Sequence, residues 1–227
     1  MPGPTTLSPT QASPWPDPRQ LLLLKAALLT GDQAARAWEQ WKASFRFEDP
    51  LDEGSFRILP LLYHNLRVLA PEDPLLPRLK GTWKQAWYRN QKLFHEGAAV
   101  LRKLHDQGIR TILLKGAALS LHFYDDIALR PMSDLDILVP ASQARQAIAV
   151  LTLHGWTAED PGGLEYNLRY GRSMGFRRPC SAELDLHWHP FFELPDEASE
   201  GLWEHAIPSG LPAKLHRPLT RQPPCCM

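Results

Sequence analysis

Apolar residues recur at helical spacing through the first half of the chain and at alternate positions through much of the second. From Asp17 the runs LLLLKAALL and AARAWEQW predict two helices broken near Gly31, with Asp17 or Asp32 as caps. A third apolar run, Phe56 to Leu69, predicts another helix, with Pro60 near its start or kinking it. The segment Leu75 to Leu104 is the clearest helix. Leu79, Trp83, Trp87, Leu93, Leu101 and Leu104 form one stripe, and lysines and arginines fill the other face. That aromatic stripe reads as core rather than as a ligand surface. Asn90 and Gly97 also fall on it and mark either close packing or a weak point.

At Gly108 the pattern changes. Gly108 is a helix stop, and Ile109 to Leu114 is a short β-type run. Lys115-Gly116-Ala117 then starts a helix, Leu135 to Val139 forms a strand, and Ala144, Ala147, Ile148 and Leu151 define an amphipathic helix. From Trp156 to His189 short strand-like pieces alternate with Gly162-Gly163, Gly171, Gly175 and Pro179. The expected class is α+β, a helical region followed by a small mixed sheet. The expected organisation is a Pro-rich tail over 1–16, a helical region over 17–107, an α/β domain over 108–207 and a second Pro-rich tail over 208–227.

Composition narrows the function. Lys plus Arg is 25 and Asp plus Glu is 25 in 227 residues, so the formal net charge is zero. A neutral chain is a poor general polyanion binder. Proline is abundant at 22 residues, and it concentrates at the two ends, which is why both read as tails. The three cysteines, Cys180, Cys225 and Cys226, show neither a disulfide framework nor zinc-ligand spacing, so no disulfide partner is expected. Leu21 to Leu24 is too short for a signal or a span and is followed at once by Lys25. A cytoplasmic protein with no membrane partner is the expectation.

Candidate chemistry lies in RPMSDLDILVP, Arg130 to Pro140. On a strand, Asp134 and Asp136 project to one face about 7 Å apart, while Leu135 and Ile137 enter a core. Two like charges on a half-buried strand call for a cation between them, and oxygen ligands suit Mg²⁺ or Mn²⁺. The alternative is that the acids cap a strand end at the surface. A second alternating run, SAELDLHWHP, puts Glu183, Asp185, His187 and His189 on one face. If the two strands are neighbours, three carboxylates converge. Either Glu183 or Asp185 can be the third acid. His187-x-His189 is a zinc-type pair or a hydrogen-bonding pair at a strand end. Lys115-Gly116 forms a strand-to-helix turn whose amino end offers N–H groups to an anion. Arg169, Arg172, Arg177 and Arg178 form a basic group on a hairpin-like segment, which either meets an anion or is simply solvated.

The ordered set of LLKGAALSLHFYDDIALRPMSDLDILVP and ELDLHWHP resembles a bacterial family of uncharacterised nucleotidyltransferases within the DNA polymerase β-like superfamily. The resemblance covers about residues 85–205. It implies a nucleotidyltransferase fold for the mixed-sheet domain. It also implies metal-dependent transfer of a nucleoside monophosphate from an NTP to a hydroxyl acceptor, which is a protein, an RNA or a small molecule. Asp134 and Asp136 match the family's metal-binding pair, and Asp185 matches its third acid, with His187 in the motif's histidine position. These roles imply two-metal catalysis with Mg²⁺ or Mn²⁺, Asp185 completing the second site. Lys115, Gly116, Arg130 and Ser133 match the positions around the nucleotide. Glu183 stays as an alternative acid. The family continues into a further helical region where this chain has its carboxyl-terminal prolines, so the 208–227 tail leaves room for truncation.

Two rival readings remain. A D-x-D glycosyltransferase needs a larger nucleotide-binding sheet ahead of its acids, and one strand clearly precedes Asp134. A non-catalytic nucleotide-binding or antitoxin-like module would keep the same fold without turnover.

Overall fold

The computed structural model describes residues 15–45, 50–179, 182–190 and 201–207. Most of both Pro-rich tails and all three cysteines lie outside the described residues. Two compact units partition the chain, Met1–Leu79 and Lys80–Met227.

The first unit holds α1 (Pro18–Leu28), α2 (Gly31–Ser44) and α3 (Glu53–Leu69). Asp17 caps α1 through a reciprocal box with Gln20, its carboxylate accepting from the Gln20 N–H at 2.8 Å. Asp32 caps nothing. It lies in the first turn of α2, where a carboxylate favours the positive end of the helix dipole. Pro60 falls in the second turn of α3, and Asp52 provides that helix's cap. The core packs Leu23, Trp38, Trp41, Leu62 and Leu66. Asp73, the one buried acid of this unit among the described residues, is matched by the Trp38 indole at 2.7 Å and the Lys42 ammonium at 2.8 Å. Burial alone would raise the Asp73 carboxyl, but these donors hold it below its ordinary value.

α4 (Leu76–Asp106) carries the long amphipathic pattern across the 79/80 boundary. It ends at Gly108, whose φ of +71° forms a helix-terminating turn with the Ile109 N–H on the Leu104 carbonyl. The second unit then alternates β1 (Ile112–Leu113), α5 (Lys115–Phe123), β2 (Asp134–Leu138), α6 (Ala144–Leu153), β3 (Thr157–Ala158), α7 (Leu164–Tyr170), β4 (Ser173–Arg177) and β5 (Glu183–His187). The five strands form one mixed sheet in the order β1-β2-β5-β4-β3. β2 and β5 run parallel at its centre, and the other pairs are antiparallel. The class is therefore α+β.

The apolar side of β2 and β5 meets α4 and α6: Leu135, Ile137, Leu184 and Leu186 pack with Leu93, Phe94, Leu104 and Ile148. Gly97 is the point of closest approach. A Cβ there would fall 2.5 Å from Leu135 Cδ2, so the glycine on the helical stripe marks packing rather than weakness. The stretch expected to be a strand-like hairpin instead contains the short helix α7, with Gly163 and Gly171 at its ends. No helix of the described residues is long and apolar enough to cross a membrane.

Candidate functional site

The sheet register builds the site. Asp136 is paired with Asp185 across β2 and β5, and Leu138 with His187. Residues paired in parallel strands share a face, so alternation puts Asp134, Asp136, Asp185 and His187 on the side away from the α4 core. Asp136, Asp185 and His187 form the compact group, each offering a ligand atom within 4.8 Å of the others. Asp134 stands outside that trio, at the entry of β2, where the Ser133 hydroxyl reaches its Oδ1 at 3.2 Å. Glu183 is turned to other use. It is solvent-exposed and lies 3.4 Å from the Arg177 guanidinium.

Asp136 is the buried centre, only 4% exposed. Its Oδ1 accepts from the Lys115 ammonium at 2.6 Å and meets His187 Nε2 at 2.9 Å. An ionised carboxylate can only accept, so this bond places the imidazole proton on Nε2. Burial would raise the Asp136 carboxyl, but the His187 and Lys115 hydrogen bonds and charges hold it below its ordinary value. Asp185 behaves in the opposite way. Burial, and then the charges of Asp136 and Asp134, push it above its ordinary value, and among the described residues no hydrogen bond reaches it. Two carboxylates and an imidazole whose ligand atoms lie within 4.8 Å of one another form a donor set of the kind that holds a divalent cation. The residues present therefore fit such an ion.

Beside the trio is the amino end of α5. Leu114 takes the N-cap position with no side-chain cap, which leaves the first-turn N–H groups to other partners. Lys115 opens the helix with a φ of +46°, alone among non-glycine described residues in having a positive φ. Gly116 is hemmed in: a Cβ there would lie 3.2 Å from Met132 Sδ and 3.7 Å from an Arg130 terminal nitrogen. Arg130 therefore lies over the helix start, and its buried Nε has no partner. Lys115, Gly116 and Arg130 converge; Ser133 touches only the Asp134 edge.

Three of the four arginines grouped in the sequence are engaged elsewhere. Arg177 pairs with Glu159 at 2.7 Å, Arg178 lies over the Trp156 ring, and Arg169 over Tyr170. A separate cavity of about 460 Å³, lined by Leu101, Ile112, Leu121 and Leu138 among others, includes none of the candidate residues.

Two contributors were not assigned from sequence. Asn90, fully buried on α4, donates to the Ile127 and Arg130 carbonyls and accepts from the Met132 N–H, which fixes the loop that delivers Asp134. The signal was an amide on an apolar stripe, which a buried position tolerates only when fully bonded. Asp126 pins the same loop, accepting from the Trp83 indole at 2.8 Å and from the Ala128 N–H.

A family model described as an uncharacterised nucleotidyltransferase matches residues 55–217. No curated protein and no solved structure matches the chain.

Proposed function

The chain belongs to this uncharacterised nucleotidyltransferase family, and from that premise we propose that it transfers a nucleoside monophosphate from an NTP to a hydroxyl acceptor. The observation that carries the reading is the register of β2 and β5, which sets Asp136 against Asp185 beside His187.

Asp136, Asp185 and His187 would hold a divalent cation, Mg²⁺ or Mn²⁺, with Asp134 at its flank. The chemistry such an ion supplies when bound is charge stabilisation of the transferring phosphoryl group. The uncapped amino end of α5, Gly116 and the Arg130 guanidinium form the cradle for the triphosphate. The absent side chain of Gly116 makes the room in which Met132 and the Arg130 guanidinium pack against that helix start. Ser133 steadies Asp134. Asp185 serves as the third acid in preference to Glu183, which is occupied by Arg177. In transfer, the acceptor oxygen bonds to the α-phosphorus, the α–β bridging bond breaks, and pyrophosphate leaves. The acceptor's proton goes to Asp185, the half-buried acid that carries no side-chain donor among the described residues, whereas Asp136 is bonded to Lys115 and His187.

Thermal unfolding tests this. ATP or CTP with Mg²⁺ is expected to stabilise the protein by about 2.7 kcal/mol at a hundredfold excess over Kd. The same nucleotide in EDTA is expected to do little. Equal stabilisation with and without the metal, or none with any NTP, would remove the proposal. Transfer of label from an α-labelled NTP then separates an enzyme from a nucleotide-binding module.

A further inference from the structure

We propose that Lys115 is a resident cation of the acidic site: its ammonium holds the position against Asp136 that a divalent ion takes, and it moves to the nucleotide's phosphates when metal and NTP arrive together. The inference rests on the metal-dependent reading above and adds to it an order of loading, in which free metal binds poorly and metal with nucleotide binds well.

The geometry is specific. The Lys115 ammonium is 2.6 Å from Asp136 Oδ1 and 3.5 Å from His187 Nε2, so it touches two of the three residues that form the compact donor group. A second positive charge cannot share that place, because two cations at contact distance repel strongly where water is partly excluded. One of the two partners is free to leave. The Asp136 side chain is 6% exposed, whereas the Lys115 side chain is 59% exposed and can swing into solvent or onto an anion. Its stem begins at the uncapped amino end of α5, beside Gly116 and Arg130, where the phosphates are placed. A short movement therefore exchanges one anionic partner for another.

The backbone carries a second mark of the same role. A left-handed conformation costs a residue with a side chain about 1–2 kcal/mol, and such strain persists where the surroundings enforce it, often at functional positions. Here the strained residue, at φ +46°, is the one whose ammonium bonds Asp136. Glycine, which occupies the next position, would adopt this backbone freely.

Binding of Mn²⁺ alone, followed by the loss of its free-ion paramagnetic resonance signal, tests the proposal on the full chain. Lys115→Gln is expected to bind Mn²⁺ about tenfold more tightly than wild type without nucleotide, within the ~5–150-fold range typical of coupled ligands. Lys115→Arg keeps the charge and is expected to bind as weakly as wild type. With a non-hydrolysable ATP analogue present, the advantage of Lys115→Gln should shrink, because the wild-type lysine then has phosphates to bind. Lys115→Gly removes the ammonium and relaxes the backbone, so it carries the same expectation should the glutamine variant fold poorly. Equal or weaker Mn²⁺ binding by the variants that lack the ammonium would overturn the proposal while leaving the metal site intact. Absence of Mn²⁺ binding by every protein, with and without the analogue, would instead remove the reading on which it rests.

Discussion

Asparagine at position 136 is expected to lower nucleotidyl transfer at least about a thousandfold, the loss of several kcal/mol of charge stabilisation at about 1.4 kcal/mol per decade. The same change should destabilise the metal-free protein by about 1–2 kcal/mol. It removes the charge that anchors Lys115 and His187, and the effect is moderated by the exposure of Lys115. Asp185→Asn should abolish transfer equally but have the opposite effect on stability. The Asp136 carboxyl lies below its ordinary value near 3.8, so the unfolded chain binds its proton more readily. Its contribution is present above that value and is lost as pH falls through the folded one. The Asp185 carboxyl lies above 3.8, so the folded chain keeps its proton longer. The contribution of Asp185 to wild-type stability therefore falls as pH rises through the window above 3.8. Asp185→Asn removes that penalty, so at neutral pH the metal-free variant should be at least as stable as wild type, and the difference should vanish in acid. Denaturant unfolding of the three metal-free proteins across pH, with label transfer alongside, checks both halves. Two variants with the same sign of stability change would contradict the assigned environments.

Alanine at Asn90 is expected to cost about 3 kcal/mol. The amide makes three bonds to the loop before β2, at 2.5, 2.8 and 3.1 Å, and is fully buried. Its removal leaves two carbonyls and one N–H without a partner in an enclosed place, at about 1 kcal/mol each. Asn90→Asp should not rescue, because it keeps the acceptor for Met132 and loses the donors for Ile127 and Arg130. Transfer should fall as well, since the loop positions Arg130 and Asp134. Urea unfolding measures the first effect, and a loss below about 0.5 kcal/mol would mean that the loop holds its shape without the amide.

Much of this was legible because strand alternation is a two-residue code. Asp134 and Asp136, and likewise Asp185 and His187, had to share a face as soon as their strands were recognised. That β2 and β5 lie side by side is a long-range pairing that local pattern leaves open, and it decides that Asp136 faces Asp185. The compact trio then draws in His187 and leaves Asp134 at the flank, a distinction of side-chain reach that alternation does not encode. Helix α7 escaped because its seven residues give too few turns for a periodic signal, while the adjoining glycines read as breaks. Gly97 and Asn90 were visible as exceptions on an apolar helix. Their meaning came only from what faces them, Leu135 and the 127–132 loop. The left-handed backbone of Lys115 had no sequence mark, since positive φ is expected at glycine and Gly116 stands beside it.

In the proposed reaction Asp136, Asp185 and His187 hold a divalent ion against a nucleotide. A crystal of the protein grown with Mn²⁺ and a non-hydrolysable NTP, measured for manganese anomalous scattering, tests it most directly. An anomalous peak coordinated by Asp136 and Asp185, with triphosphate density at the amino end of α5, is the expected result. Nucleotide bound elsewhere, or triphosphate at α5 with no manganese on these carboxylates, would contradict it.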